Sequence, residues 1–415
     1  MRVLFVTQLL PYPLDSGGKV RNYYLLRHLC RRHEVTLASF VRTAEEAAGA
    51  QELRCFCEAV HTVPLRRSRL QDLWHLARSF ASRQPFLVAR DASPALARLL
   101  QRLHRERPFD VVHVSPLTMA PYALLLPGPR RIVDCHDVMT GLAGRMAQAL
   151  PWWLRPLAHL ETRRLSRYEP YVVSCVDRAL AVSEPDRRSL QRLGAPTERL
   201  SVVPIGIDSE APQIRREKGA PPHILHLGGL NYLPNLQGLR WFLRQVFPHV
   251  VECLPDCRLY VVGGAPPAEV VLEGLRDRRI AVTGHVPEVE PYVARASLLA
   301  VPLLSGSGMR VKILEAFARG LPVVTTTLGY EGIEATPGEH LLVADDPAAF
   351  AAAVVRLAED APLACRLTEN ARRLVKEKYD WRHVGEALDA AYDACVADAT
   401  CACAPHRGRR WLLEG

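Results

Sequence analysis

The stretch from Ser305 to Pro322 combines a glycine-rich loop with two cations at the predicted start of a helix. Arg310 and Lys312 would stand in the first helical turn, where the helix dipole is positive and a cation lowers helix stability. A bound diphosphate would offset that cost, because the amides of a helix N-terminus also attract anions. Glu315, one turn further on, could accept hydrogen bonds from both hydroxyls of a ribose. The alternative is a solvated amphipathic helix with incidental charges.

Two loops in the first half of the chain could also contact a ligand. Gly17 and Gly18 precede a predicted helix, so backbone amides could approach an anion closely there, although a simple tight turn is the alternative. His136 follows a predicted buried strand and is flanked by Asp134 and Asp137. An imidazole at a strand end could donate to a substrate hydroxyl or phosphate, or it could only cap the next helix.

Apolar runs that alternate with helical patterns predict an α/β protein with two doubly wound parallel sheets. Strands are expected at 3–7, 34–40, 111–114, 131–134 and 178–183, and again at 223–227, 259–262, 280–283, 298–301 and 322–326. Gly320 is placed to cap the C-terminal end of the helix that begins near Arg310. Parallel sheets bind ligands at the carboxyl ends of their strands, where the loops described above fall.

This pattern predicts two Rossmann-like domains. The first covers residues 1–203, a junction and linker follow at 204–222, and the second covers 223–381. The helix from about residue 382 could pack back on the first domain, and a tail at 396–415 is expected to be poorly ordered.

The net charge of +9 is concentrated in the first 200 residues, which hold 30 basic and 18 acidic side chains. Lys19 is the only lysine among them. This favours an anionic partner for the first domain. A GC-rich genome that favours arginine codons is the alternative. Trp152 and Trp153, beside Arg155, could rest at a membrane interface or fill a core.

Eleven cysteines without a regular framework predict a reducing cytosol and no disulfides. Cys401, Cys403 and His406 lack a fourth spaced ligand, so no metal is predicted there. No apolar run is long enough for a membrane span, and the N-terminus does not look like a secretory signal. The expected location is the cytoplasm, with peripheral contact at the inner face of the plasma membrane as a further expectation.

Several segments together resemble the glycosyltransferase group 1 family. The most specific ones are Val203–Asp208, Leu227–Gly229, Val262–Gly264, Gly284–Val286 and Pro302–Thr326. The Gly17–Gly18 loop and His136–Asp137 resemble the family's first domain. The likeness implies the GT-B fold, in which two Rossmann-like domains face each other across a cleft. The pattern is also similar to sugar transferases found with bacterial exopolysaccharide and exosortase systems.

The resemblance implies that a sugar moves from a nucleotide-diphosphate donor to an acceptor with retention at the anomeric carbon. The donor would be a UDP-sugar or a GDP-sugar, with no metal and no cofactor. The catalytic roles would fall to His136, Arg310 and Lys312. The donor would contact Gly17, Gly18, Gly228, Gly229, Asn231, Gly263, Gly284, His285, Val286, Gly308 and Glu315. The acceptor side, in the first domain, would include Lys19, Arg21 and Asp137. The expected acceptor is a glycan or a lipid-linked molecule, and nucleic acid is not expected as a partner.

The sequence departs from the family pattern at three places. Ser307 stands where the family usually has the first of two glutamates, and Ile205 replaces the junction asparagine. A Gly-Arg pair and a later lysine are also missing after the first strand of the second domain, so Arg310 and Lys312 are expected to supply the charge for the diphosphate. A nucleotide-sugar epimerase of the same fold and a degenerate transferase acting as a scaffold stay open as alternatives. A nucleic-acid binder is suggested by charge alone, and a dinucleotide dehydrogenase would need a Gly-x-Gly-x-x-Gly turn that is missing.

Overall fold

The computed structural model describes residues 1–65, 68–82, 84–213, 221–306 and 308–397. The chain divides into two compact units. The first comprises Met1–Ile205 with the described residues from Val384 onward, and the second comprises Gly206–His383. Three predicted features lie outside the described residues, wholly or in part. They are Ser307, a part of the predicted linker, and nearly all of the predicted tail, including Cys401, Cys403 and His406.

The first unit is built on a seven-stranded parallel sheet. Its strands are β1 (Arg2–Thr7), β2 (Glu34–Val41), β3 (Ala59–Pro64), β4 (Val111–Ser115), β5 (Arg130–Cys135), β6 (Arg178–Ala181) and β7 (Leu200–Val202). They lie side by side in the order β3-β2-β1-β4-β5-β6-β7. The central strands are continuous apolar runs because helices cover both faces of a parallel sheet, and every residue of β4 is buried.

Among the residues that the structure describes, ten α-helices follow the strands of the first unit before the chain enters the second. They are α1 (Gly17–Leu29), α2 (Ala44–Ala48), α3 (Ala50–Arg54), α4 (Arg69–Ser82), α5 (Phe86–Arg90), α6 (Pro94–Glu106), α7 (Ala120–Leu125), α8 (Met139–Ala149), α9 (Arg155–Cys175) and α10 (Glu184–Arg192). Short 3₁₀ turns cover Leu117–Met119 and Thr197–Arg199.

The second unit repeats this design with a six-stranded parallel sheet. Its strands are β8 (His223–Leu227), β9 (Arg258–Val262), β10 (Ile280–Gly284), β11 (Leu298–Val301), β12 (Val323–Thr325) and β13 (Leu342–Val343), in the order β10-β9-β8-β11-β12-β13. Its helices are α11 (Leu233–Trp241), α12 (Phe247–Cys253), α13 (Ala268–Arg276), α14 (Glu290–Arg295), α15 (Val311–Arg319), α16 (Pro347–Glu359) and α17 (Ala361–Leu374), with π-helical turns at Phe242–Val246 and Val375–Tyr379.

The final helix, α18 (Trp381–Ala397), returns to the first unit. Tyr392 on α18 lies 2.9 Å from His113 Nδ1 of β4, where both side chains are fully buried. Burial lowers the pKa of His113 to about 4, so this histidine is neutral near pH 7. Asp389 on the same helix pairs with His28 of α1 at 3.1 Å. These contacts hold α18 against β4 and α1.

Both predicted parallel sheets are present, but the sequence prediction misses three strands. These are β3, β7 and β13, and each lies at the edge of its sheet. An edge strand pairs on one side only, so it is short or carries a weak apolar pattern. Gly17 and Gly18 were predicted to precede the first helix, whereas α1 begins at Gly17 itself. Gly320 does cap α15 in the left-handed conformation, as predicted.

No helix of the described chain is both long enough and apolar enough to cross a membrane.

Candidate active site

His136 lies at the carboxyl edge of the first sheet, directly after β5. Its Nε2 is 3.1 Å from Asp134 Oδ2 and 2.7 Å from Ser115 Oγ at the end of the neighbouring strand β4. Ser115 donates its own proton to Asn22 Oδ1 at 2.7 Å. The serine oxygen therefore accepts from the ring, which places the proton of the neutral imidazole on Nε2 and leaves Nδ1 as an acceptor. The sequence prediction did not include Ser115 or Asn22.

Asp134 is fully buried and forms a bidentate ion pair with Arg21 of α1. Arg21 Nε donates to Asp134 Oδ2 at 2.9 Å, and Nη2 donates to Oδ1 at 2.8 Å. Burial alone would raise the pKa of Asp134, but Arg21 and His136 hold it well below its usual range. Asp134 is thus a carboxylate that fixes the orientation of His136.

Arg21, which was predicted to lie on the acceptor side, is used for buried contacts within the protein. Its side chain has no exposed surface, and its remaining nitrogen, Nη1, donates to the carbonyl of Pro204 at 2.8 Å. Lys19 on the same helix is also almost fully covered and donates to Asp15 at 3.0 Å. Asp137 is half-buried and directly follows His136.

The glycine pair meets His136 within the first unit. A Cβ atom on Gly18 would lie 3.3 Å from His136 Nδ1, so any side chain there would press on the imidazole. Gly17 is the first residue of α1. The amides at the start of α1 and the free face of the imidazole therefore lie side by side at the sheet edge, an arrangement suited to an anionic or hydroxyl-bearing ligand.

Glu169 holds the loop after His136 in place, and the sequence prediction did not assign it a site role. This buried carboxylate of α9 accepts from the amides of Met139 at 2.7 Å and Thr140 at 3.0 Å, at the N-terminus of α8. Burial raises the pKa of Glu169, although these hydrogen bonds oppose the rise. No local pattern could reveal this cap, because its two sides are some 30 residues apart in the chain.

In the second unit, Arg310 is the N-cap of α15 and Lys312 is in its first turn, with no acidic residue beside them. Arg310 is 8% exposed and donates from Nη1 to the carbonyl of Gly308. Gly306 and Gly308 both have positive φ angles, 107° and 82°, which favour glycine. The loop thus folds back on the guanidinium at the positive end of the helix.

The ammonium group of Lys312 reaches the carboxyl end of β8. It donates to the carbonyl of Leu227 and to Asn235 Oδ1, the latter at 3.1 Å. Asn235 in turn donates to the carbonyl of Gly229 at 3.0 Å. Burial and the nearby charge of Arg310 lower the pKa of Lys312 to about 7. Asn235 was not predicted as a site residue, since its partner is 77 residues away.

The predicted glycines lie at three adjacent strand ends beside Lys312. Gly228 has a φ of +143°, and a Cβ there would meet Asn235 and Lys312 Nζ at 2.6 and 2.9 Å. A Cβ on Gly263 would lie only 2.0 Å from the carbonyl oxygen of Gly228. Gly263 donates its amide to the carbonyl of Gly284 at 3.1 Å. Close backbone packing of β8, β9 and β10 therefore requires glycine here, whether or not a ligand binds.

We expect Gly263→Ala to lower the free energy of unfolding by about 1–3 kcal/mol, because the clash is with backbone and cannot be relieved by a rotamer change. Gly264→Ala is the matched control, since its Cβ would meet only His285 Cβ at an ordinary 3.7 Å. Urea unfolding of both variants measures the difference. Equal stability of the two variants would contradict this account of the strand ends.

The remaining predicted donor residues lie around these strand ends. Asn231 and His285 are exposed and Val286 is half-buried, after β8 and β10 respectively. Glu315 is exposed on α15, yet the surrounding protein reduces its hydration and raises its pKa. All of the predicted donor residues except Gly17 and Gly18 belong to the second unit.

Two family models match the chain. The model described as Glycosyltransferase Family 4 matches residues 16–211, and the model described as Glycosyl transferases group 1 matches residues 221–360. An uncharacterized 44.6 kDa protein in the cps region of Klebsiella pneumoniae is 29% identical over 175 residues, or 40% of this chain and 45% of that protein. A phosphatidyl-myo-inositol mannosyltransferase of Mycobacterium leprae is 28% identical over 231 residues, or 53% of this chain and 60% of that protein. The chain thus matches only about half of the length of these curated relatives.

Solved structures share the fold at low sequence identity. HepE of Anabaena, in complex with UDP and glucose, is similar with a TM-score of 0.67 at 14% identity, over 95% of this chain and all of that one. Sucrose-phosphate synthase from Thermosynechococcus elongatus has a TM-score of 0.71 at 15% identity, over 96% of this chain and all of that one. With the two family models that match its halves, the chain belongs to the group 1 glycosyltransferases and has their GT-B fold.

Proposed function

We propose that this protein transfers a sugar from a nucleotide-diphosphate donor to an acceptor hydroxyl, with retention at the anomeric carbon. The observation that carries the proposal is the position of Lys312. Its ammonium group lies at the end of β8, beside glycine backbone and at the N-terminus of α15. Arg310 lies two residues away. Two cations and a positive helix end in one place suit a diphosphate.

In the proposed reaction, the bond between the anomeric carbon and the diphosphate oxygen breaks, and a bond to the acceptor oxygen forms. The nucleoside diphosphate leaves with the electron pair, and its departing oxygen takes up the proton of the acceptor hydroxyl. Arg310 and Lys312 would stabilise the charge that gathers on the leaving diphosphate, since fixed donors need little reorganisation. Glu315 would accept from the ribose hydroxyls, and His136 Nδ1 would accept from a hydroxyl of the sugar or the acceptor.

The relatives support a choice of substrates for testing. Solved complexes of HepE contain UDP and UDP-glucose, and the relative from Mycobacterium leprae is named for mannosyl transfer to phosphatidyl-myo-inositol. The Klebsiella relative is named for its cps region. We therefore propose a UDP-hexose or GDP-hexose donor, no metal requirement, and a glycan or lipid-linked acceptor in exopolysaccharide or cell-surface glycan synthesis. The proposed location is the cytoplasm, at the inner face of the plasma membrane.

Thermal unfolding in the presence of UDP, GDP, ADP and their sugar conjugates tests the donor site. A ligand at about 100 times its Kd should stabilise the protein by about 2.7 kcal/mol. We expect one nucleotide to raise Tm and Arg310→Ala to abolish the rise. Arg244→Ala, which changes an exposed arginine of the same unit, is the control. No shift with any nucleotide, or a full shift in Arg310→Ala, would contradict the proposed site.

A further inference from the structure

Four exposed apolar side chains surround the turn between α8 and α9 of the first unit. Trp152 is 79% exposed and Trp153 is 62% exposed; Met146 and Leu157 flank them at 40% and 39%. We call these four residues the tryptophan surface. Large aromatic side chains are rarely left in water on a soluble protein, so such a patch indicates contact with another apolar phase or partner.

Helix α4 extends the tryptophan surface along α9. Arg164 of α9 donates to Ser79 Oγ at 2.9 Å and lies over the ring of Phe80 at 5.1 Å. Phe80 and Trp74, both on α4, are 48% and 54% exposed. Apolar side chains from α4, α8 and α9 are therefore exposed on one group of packed helices.

The exposed side of α9 is basic. Arg155, His159, Arg163 and Arg167 recur every four residues, and all four are exposed. Residues 138–168 contain five arginines and a single glutamate, Glu161, which accepts from the amide of Leu87 at 3.3 Å. The same helix thus joins a row of cations to the tryptophan surface.

We propose that the tryptophan surface and the basic side of α9 dock this protein on an anionic phospholipid membrane. Tryptophan is suited to the boundary between headgroups and acyl chains, and arginines beside it would meet lipid phosphates. A nucleic-acid duplex would contact the arginines, but its bases are already stacked and would leave both indole rings in water, so the combination favours lipid. The inference rests on the proposed function only in making the membrane the place where a lipid-linked acceptor is met.

Co-sedimentation with vesicles tests this surface directly. On vesicles of equal parts phosphatidylcholine and phosphatidylglycerol, we expect Trp152→Ser/Trp153→Ser to lower the partition coefficient at least about tenfold. Leu275→Ser is the matched control, because Leu275 is 76% exposed on α13 of the second unit. Arg163→Gln/Arg167→Gln should lower binding at least about tenfold as well. Its control is Arg244→Gln/Arg258→Gln, which removes two exposed arginines elsewhere.

Each outcome decides the proposal. Lack of vesicle binding by the wild-type protein, or undiminished binding by the tryptophan variant, would overturn it. Binding of the wild-type protein to a DNA duplex but not to the vesicles would assign the surface to nucleic acid instead. The replaced side chains are exposed, so Tm should stay near that of the wild type. The Tm shift caused by nucleotides tests the proposed function separately. If the protein binds vesicles but no nucleotide raises its Tm, the proposed donor site is refuted and the proposed docking surface is not.

Discussion

Lys312→Met should lower kcat/KM for release of nucleoside diphosphate from the donor sugar by about a hundred- to a thousandfold. This is the usual effect of removing one fixed donor to a developing anion. Methionine keeps the length of the side chain but loses the charge and the hydrogen bonds to Leu227 and Asn235. The measurement is steady-state kinetics with the donor selected by the thermal screen, where kcat should fall as well as kcat/KM.

The same lysine should make nucleotide binding depend on pH. The pKa of Lys312 is about 7 in the free protein, and a bound diphosphate would raise it. Above pH 7 most of the free protein has an unprotonated Lys312, so the protein must take up a proton when the nucleotide binds. The affinity for the nucleotide should therefore fall as the pH rises. Calorimetry in two buffers of different ionisation enthalpy measures this uptake.

Lys376→Met is the matched control, because Lys376 is an exposed lysine of the same unit. It should leave both turnover and proton uptake unchanged. Lys312→Arg should remove the proton uptake while keeping the positive charge, since a guanidinium does not titrate in this range. Unaltered proton uptake in Lys312→Met would show that another group titrates, and unaltered turnover would remove Lys312 from the mechanism.

Arg21→Met should lower the free energy of unfolding by about 3–5 kcal/mol, the usual result of leaving one member of a buried ion pair alone. Arg21 and Asp134 are both fully buried, and their guanidinium–carboxylate contact is bidentate. In Arg21→Met, Asp134 would keep only His136 and would be free to pull the ring away from Ser115. Urea unfolding measures the loss of stability.

Arg27→Met is the control, because Arg27 is an exposed residue of the same helix. Its free energy of unfolding should be close to that of the wild type. Arg21→Met/Asp134→Leu should recover much of the lost stability, because replacing both charges removes the unpaired one. The low pKa of Asp134 adds a pH test. The pair should stabilise the fold fully near neutral pH. That contribution should begin to fall once the pH drops below the ordinary Asp pKa of about 4, and it should be gone below the native pKa of Asp134. A loss of less than about 1 kcal/mol in Arg21→Met would contradict the buried-pair account.

The two parallel sheets and the start of α15 could be predicted from the amino-acid sequence. Continuous apolar strands and alternating helices are local patterns, since burial on both faces demands an apolar side chain at nearly every position. The cations at Arg310 and Lys312 and the cap at Gly320 are likewise set by neighbours a few residues away. The edge strands β3, β7 and β13 were missed because pairing on one side imposes a weaker pattern.

The roles of the polar side chains, in contrast, became clear only from the folded chain. Arg21 looks like any other arginine of the basic first half, yet it is paired with Asp134, 113 residues away. Glu169 and Asn235 likewise act on segments distant in sequence. A charged side chain can stand in water or be buried against a partner, and nothing in its neighbours along the chain distinguishes the two. The free energy that selects burial comes from partners that only the folded chain brings within hydrogen-bond distance.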